Sequence, residues 1–311
     1  MSRVDEAGPP APAVVGDPER AKEREPEREK VWTTLELVRF TTGYFAERGV
    51  RSARLDAEVL LAHVLGCRRL DLYLGFDRPV DATERARYRD LIRRRGGERV
   101  PVAYLTGERE FWSRALQVTP DVLIPRPETE VLVRAVLDRL PVGPAQVADV
   151  GTGSGAIAVA LAAERTDLEI LAMDVSDSAL AVASANFARL GLADRIRTAS
   201  GALLDAAPRE LQAIVSNPPY VTTAALAELE PELAHEPRLA LDGGPDGLDV
   251  IRDLVRRAPQ HLCAGGLLAI EIGHDQASAV TALLGEIGGA AVEVVTDLAG
   301  RDRVVCARVG G

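Results

Sequence analysis

The sequence predicts an α/β protein with a mostly parallel sheet covered by helices on both faces, preceded by a small all-helical domain. Three observations carry that expectation. From about Asp121 onward, short apolar runs alternate with helical segments, the pattern of a buried parallel sheet with crossover helices. Between Val31 and about Gly97, apolar residues recur at helical spacing instead. A glycine-rich turn at 151–155 stands where the first strand of the α/β part meets its first helix, the place at which such sheets hold ligands.

Taken in order, residues 1–30 combine Pro, Gly and Ala with dense mixed charge and little to bury, and read as a disordered tail. In 31–108, Leu35, Val38, Phe40 and Phe45, then Leu55, Val59, Leu60, Val64 and Leu65, then Tyr88, Leu91 and Ile92 mark several short helices. Gly43, Gly49, Gly66, Gly96 and Gly97 punctuate them. Residues 109–120 carry β-type residues around a central turn and read as a hairpin linker. The α/β domain fills 121–311. Its strands are expected at 145–150, 168–174, 194–200, 211–216 and 265–273, and segments 290–297 and 302–309 look like a closing antiparallel pair, seven strands in all. Helices are expected after Gly155 through Ala163, over 176–191 between a Ser176 cap and a Gly191 stop, and over 247–262 and 275–287.

Composition narrows the function classes. No apolar run approaches the roughly 18 residues of a membrane span, and no basic flank precedes an apolar stretch at the N-terminus, so a cytoplasmic protein without membrane contact is expected. Cys67, Cys263 and Cys306 lie far apart, and His63, His235, His261 and His274 fall in no metal-binding pattern, so neither a disulfide framework nor a metal site is expected. The net charge of −10 is uneven. Residues 31–118 hold 16 arginines against 12 acids, whereas 119–311 hold 15 basic against 27 acidic residues. The larger part would repel a nucleic acid.

The turn reads "DVGTGSGA" over 149–156. Gly151, Gly153 and Gly155 allow close approach of the backbone to a ligand and are expected to expose N–H groups at the helix start. Asp174, at the tip of the next strand and about 20 residues on, is placed to accept both hydrogen bonds of a ribose diol. A dinucleotide fingerprint has the form G-x-G-x-x-G; G-T-G-S-G after an acid instead resembles the first motif of class I S-adenosylmethionine-dependent methyltransferases.

The strand at 211–216 ends in Asn217-Pro218-Pro219-Tyr220. The prolines remove two donors and stiffen the turn, leaving carbonyls to accept, and Asn217 adds a side-chain oxygen. Two fixed acceptors receive both hydrogens of an –NH₂ group, and Tyr220 offers a flat surface to a planar one. Such a turn suits a conjugated amine or amide, whose nitrogen is a poor nucleophile until its protons are accepted and its approach is fixed.

Six segments together resemble the glutamine methyltransferases of class 1 peptide chain release factors, the PrmC or HemK family: "PVAYLTGEREFW" (101–112), "VLIPRPETE" (122–130), "DVGTGSGAIA" (149–158), "IVSNPPY" (214–220), "EPRLALDGGPDGL" (236–248) and "GRDRVV" (300–305). The resemblance covers nearly all of 31–311. It implies a class I, Rossmann-like fold, S-adenosyl-L-methionine as cofactor, and methylation of the amide nitrogen of the glutamine in the release factor Gly-Gly-Gln loop. Carried over by position, Gly151, Thr152, Gly153, Ser154 and Gly155 would line the methionine part of the cofactor and Asp174 would hold its ribose. Asn217 and the Pro218 carbonyl would orient the glutamine amide, with Pro219 and Tyr220 shaping its pocket. Phe111 resembles an aromatic that encloses the site, while for Phe111 and Trp112 packing of the hairpin on the sheet explains the residues equally well. Locally, Pro127 suits a first helical position, and Glu128 and Glu130 suit the first turn's dipole. Ala202 stands where the family commonly has an acid near the adenine. The rival chemistry is amino-group methylation of adenine or guanine in DNA or RNA, which the acidic balance opposes. A monomer that binds release factors through 31–108 is expected.

Overall fold

The computed structural model describes residues 30–309; the expected tail, 1–30, lies outside the described residues except for Lys30. Five helices come first: α1 (Thr34–Glu47), α2 (Ala53–Leu65), α3 (Asp71–Leu74), α4 (Ala82–Gly97) and α5 (Val102–Thr106). α1 and α4 each begin at a capping box, Thr33 with Glu36 and Asp81 with Glu84, which satisfies backbone donors that a helix start leaves free. Gly66 closes α2 in the left-handed conformation. Gly43, Gly96 and Gly97, expected as punctuation, lie inside helices instead. A Cβ at Gly96 would come within 2.6 Å of the Tyr44 ring, so this glycine serves the close approach of α4 to α1.

The inward face of α1 runs Thr34, Leu37, Val38, Thr41 and Phe45, and it packs with Leu60, Leu61 and Tyr88. Phe40 and Leu55 fall outside these stripes and are 58% and 45% exposed. Phe40 meets Trp32 edge-on at 5.7 Å instead.

Strands β1 (Glu108–Phe111) and β2 (Arg114–Gln117) form the expected hairpin. Its two turn residues, Trp112 and Ser113, both have positive φ (50° and 56°), the turn geometry that matches strand twist. Side chains occupy that region at a cost of about 1 kcal/mol each. Two bonds offset it: the Trp112 N–H donates to Glu130 at 3.0 Å and the indole N–H to Glu164 at 2.8 Å. Helix α6 (Thr129–Arg139) starts two residues beyond Pro127, and Glu130 stands in its first turn, as expected, while also accepting the Trp112 N–H of the hairpin.

The sheet follows as β3 (Ala145–Val150), α7 (Ala156–Glu164), β4 (Leu168–Asp174), α8 (Asp177–Arg189), β5 (Ile196–Ser200), β6 (Leu211–Ser216), α9 (Asp249–Arg257), β7 (Leu262–Glu271), α10 (Ala277–Glu286), β8 (Ala290–Thr296) and β9 (Asp302–Val309). The order is β5-β4-β3-β6-β7-β9-β8, parallel except that β9 runs antiparallel to β7 and β8. One face buries Leu132 and Val136 of α6, Ile157 and Leu161 of α7 and Phe187 of α8; the other buries Ile251 and Leu254 of α9 and Val280 and Leu284 of α10. This is the mostly parallel sheet covered on both faces that the strand pattern predicts, in the class I, Rossmann-like arrangement that the resemblance implies. Helix α9 ends at Arg257 rather than 262, because Pro259 cannot donate, and a 3₁₀ turn over Ala258–Gln260 leads into β7. The chain steps outward from β3 to β5 and then returns to set β6 on the other side of β3. That reversal opens a crevice at the carboxyl ends of β3 and β6. No helix of the described residues is long and apolar enough to cross a membrane.

Between β6 and α9 the sequence reading anticipated no structure. Three 3₁₀ turns, Ala225–Glu228, Pro231–His235 and Arg238–Ala240, form a strap there. Two glutamates pin it. Glu232 pairs with Arg95 (2.8 Å) and Arg99 (2.6 Å) of the helical part, and Arg95 also binds Asp56 at 2.7 Å. Glu236 accepts the Ile124 N–H at 3.1 Å and pairs with Arg126. Part of the positive balance of residues 31–118 is therefore answered within the chain.

Arg95 and Asp56 are both buried. Arg95→Ala leaves the buried Asp56 without its arginine, while Glu232 keeps Arg99, and a loss of about 3 kcal/mol in unfolding free energy is expected from urea titration. An unchanged midpoint would mean that solvent screens the pair.

Candidate active site

A cavity of about 380 Å³ opens at the carboxyl ends of β3, β4 and β6, within the roughly 300–1,000 Å³ usual for small-ligand sites. Gly151, Thr152, Gly153, Ser154, Asp174, Asn217, Pro218, Pro219 and Phe111 line it; Gly155 and Tyr220 do not. Gly151 and Gly153 have φ of 72° and 55°, and a Cβ at either would meet no protein atom within 4 Å. Backbone conformation, with open space beyond it, requires glycine there. Gly155 differs: at φ 82°, its Cβ would run into the Phe187 ring. It lets α8 close on the turn.

The turn's N–H groups are not exposed as expected. Gly151 and Thr152 both donate to the Met173 carbonyl (2.8 and 2.9 Å), Gly155 donates to Thr152 O (2.8 Å), and Gly153 donates to Asp174 Oδ2 (2.9 Å). A pyrophosphate needs free donors at this place. With four of them engaged inside the protein, the turn offers close approach without an anion hole, which suits a neutral or cationic ligand. Asp174 also accepts the Ser176 N–H on Oδ1 at 3.0 Å. A carboxylate has about four lone-pair sites, so about two stay available for a pair of hydroxyls.

Beneath the turn, Asp149 is fully buried. Its Oδ2 accepts from the Thr152 hydroxyl (2.7 Å) and the Ala158 N–H (3.1 Å), whereas Oδ1 has no partner. Burial pushes its pKa up to about 6, opposed by those two bonds and reinforced by Asp174. Asn186, also fully buried and not singled out from sequence, clamps the hairpin to the turn: it exchanges two bonds with Gln117 (2.7 and 2.9 Å) and donates to Ser154 O at 2.9 Å. An asparagine between apolar residues in the last turn of α8 was the available sequence signal. Phe111 both packs in the sheet core and lines the cavity, whereas Trp112 packs outside it, with Arg134 5.3 Å over its ring.

On the other flank, the Ser216 hydroxyl binds Val150 O at 2.7 Å and ties the tip of β6 to β3. The next turn is held from behind. Gln276 donates to Tyr220 O at 3.1 Å, the Val221 N–H donates to Leu241 O at 3.0 Å, and the Gly243 N–H donates to Val221 O at 2.8 Å. A Cβ at Gly243 would lie 2.7 Å from Pro219 O, so the "DGG" segment forms a close cradle for this turn. Asn217 Nδ2 donates to the Thr129 hydroxyl at 3.1 Å. Among the described residues, neither Asn217 Oδ1 nor Pro218 O accepts a hydrogen bond from the protein.

Tyr220 turns away from the first cavity and packs with the core on the α9–α10 face. Burial and the nearby Glu271 push its pKa up to about 12. Glu271, at the end of β7, is itself 1% exposed; burial raises it to about 7, while Thr129, Arg303 and Tyr220 act in the opposite direction. Tyr220 faces a second cavity of about 500 Å³, between the helical part and the sheet, where Arg95, Arg109 and Val102 stand opposite it. The two cavities share Leu123, Arg126, Asn217, Pro218 and Ala240. Asn217 and Pro218, which carry the two unpaired oxygens, thus line both. Ala202 lines the first cavity without a side-chain acceptor.

A buried carboxyl with a raised pKa favours the protonated fold, so Asp149 stabilises the chain less as pH rises from about 4 to 6. Asp149→Asn keeps an acceptor for Thr152 and Ala158 and removes the buried charge. Its melting temperature is expected to match or exceed the parent at pH 7.5 and to lose that advantage at pH 4.5; a deficit at pH 7.5 that disappears at pH 4.5 would show that the charge itself is needed.

Comparison with known proteins agrees with this geometry. Residues 36–107 match the PrmC N-terminal domain and residues 128–296 the methyltransferase small domain. The release factor glutamine methyltransferase of Geobacter sulfurreducens is 42% identical over 286 residues, covering 91% of this chain and 99% of that protein. That of Moorella thermoacetica is 47% identical over 263 residues, 83% of this chain and 92% of the relative. Among solved structures, the hMettl16 catalytic domain in complex with the MAT2A 3'UTR hairpin 6 shares the fold, with a TM-score of 0.52 at 15% identity over 75% of this chain and 84% of the other. By its fold, its matched domains and its identity to these relatives along most of its length, the chain belongs to the release factor glutamine methyltransferase family.

Proposed function

We propose that this enzyme transfers the methyl group of S-adenosylmethionine to the side-chain amide nitrogen of the glutamine in the Gly-Gly-Gln loop of class 1 peptide chain release factors. The observation that carries the reading is the pair of unpaired oxygens, Asn217 Oδ1 and Pro218 O, on two residues that line both cavities. Family membership supports the choice of substrate, since the relatives carry that activity in their names.

The residues fit the cofactor. Asp174 has about two lone pairs left for the ribose diol, and the Gly151–Ser154 turn, with most of its donors engaged, suits a positively charged sulfur. When bound, S-adenosylmethionine would supply an electrophilic methyl group: its bond to sulfur breaks with the electron pair left on sulfur, the nitrogen takes the methyl, and one of the two amide protons leaves to solvent. The protein's part is positioning. Asn217 Oδ1 and Pro218 O receive the two N–H groups of the glutamine amide, which raises electron density on a nitrogen otherwise conjugated to its carbonyl and fixes its line of approach. Pro219 and Phe111 bound the pocket on the cofactor side, and Tyr220 bounds it on the side of the second cavity, through which the loop enters.

On this reading residues 31–108 recognise the release factor, 109–120 link, and 121–311 catalyse. The enzyme works as a cytoplasmic monomer and binds no nucleic acid directly.

Labelled S-adenosylmethionine, offered with purified release factor, its loop Gln→Ala variant and duplex DNA, tests the reading. Label is expected on the intact release factor alone. Asn217→Ala is expected to lower kcat on the order of a hundredfold. Label on DNA and none on release factor would overturn the substrate assignment.

A further inference from the structure

An asparagine amide has two nearly isosteric orientations, and only one presents its oxygen to the acceptor cavity. The other would set two N–H groups against the two N–H groups of the incoming amide. Something must select between them. The contact made by the inner end of Asn217 is the Thr129 hydroxyl at 3.1 Å. Thr129 is the first residue of α6, 4% exposed, and it also lines the first cavity.

A hydroxyl both donates and accepts, so Thr129 alone would not discriminate. The neighbouring acceptor for its proton is the carboxylate of Glu271, buried at the end of β7: its Oε2 has no hydrogen-bond partner, and Thr129 opposes the rise that burial imposes on its pKa. Once the Thr129 proton is directed at Glu271, its remaining lone pairs accept, and a donor is required of Asn217. We propose that Thr129, polarised by Glu271, is a positioning residue that fixes the Asn217 amide with its oxygen toward the substrate nitrogen.

The assignment rests on the methyl-transfer reading above and extends it to a residue that touches neither the reacting nitrogen nor the methyl group. It also explains why the threonine stands at the start of α6: the helix N-terminus is anchored beside the tip of β6, so the hydroxyl reaches Asn217 across 88 residues of sequence.

The test compares Thr129→Val, which keeps the shape and removes the hydroxyl, with Thr129→Ser, which keeps the hydroxyl. Steady-state methylation of release factor, calorimetric binding of S-adenosylmethionine and melting temperature are measured for each. The expected result for Thr129→Val is a fall in kcat of about tenfold or more, equivalent to about 1.4 kcal/mol, with KM for release factor and cofactor affinity within about twofold of the parent. Thr129→Ser should recover kcat to within about threefold. An unchanged kcat for Thr129→Val would overturn the proposal, as would an equal loss in both variants, which would assign the effect to packing. Asn217→Ala is measured alongside: parental kcat in that variant would refute the reading of the site itself, a different failure from that of Thr129.

Discussion

Two oxygens at the tip of β6 have to remain unpaired with the protein and still be held still. An acceptor left without a partner in a closed interior costs about 1–3 kcal/mol, so the arrangement is tolerable only where a cavity brings solvent or a ligand to it. The surrounding structure meets both demands. Pro218 and Pro219 remove the donors that would otherwise fold back on the turn. Ser216, Gln276 and the cradle at Gly243 fix its backbone, and Thr129 takes the inner end of the Asn217 amide. The outer oxygens are what is left.

The cofactor side works by the opposite device. There the donors, not the acceptors, are withdrawn: Met173 O, Thr152 O and Asp174 take up the N–H groups of the glycine turn. A nucleotide phosphate would find little to bind, whereas the bare backbone at Gly151 and Gly153 permits close contact with a sulfonium. Asn186 and Glu130 brace the hairpin across this turn and α6, so Phe111 is held at the cavity wall. The two cavities adjoin at Asn217 and Pro218, where the proposed reading brings the methyl donor and the acceptor together.

Much of this was legible in the sequence. Strand runs such as "AQVADV" and "LQAIVS" are apolar on both faces, and their order with the intervening helices predicts the sheet. Asp174 and the glycines follow from chain spacing alone. Legibility failed where a residue acts across the fold. Glu130 reads as a helix-start residue and Thr129 stands out in no way, because nothing local says that one faces the hairpin and the other Asn217. Glu232 and Glu236 enter the sequence reading only through the acidic balance and a quoted segment, yet Glu232 is gripped by Arg95 and Arg99 and Glu236 by Arg126, each at least 110 residues away in the chain. Phe40 and Leu55 carried the right residue type at the wrong helical angle. The engagement of the turn's N–H groups by the neighbouring strand was equally invisible, since it depends on the register of β3 with β4.

The central claim, that Asn217 Oδ1 and Pro218 O receive the acceptor's –NH₂ group, is tested most directly by a crystal structure with S-adenosylhomocysteine and a release factor whose Gly-Gly-Gln loop is intact. The account predicts the glutamine nitrogen within hydrogen-bonding distance of both oxygens, with Asn217 Nδ2 still on Thr129. A glutamine whose carbonyl faces Asn217, or whose amide lies away from the tip of β6, would contradict it.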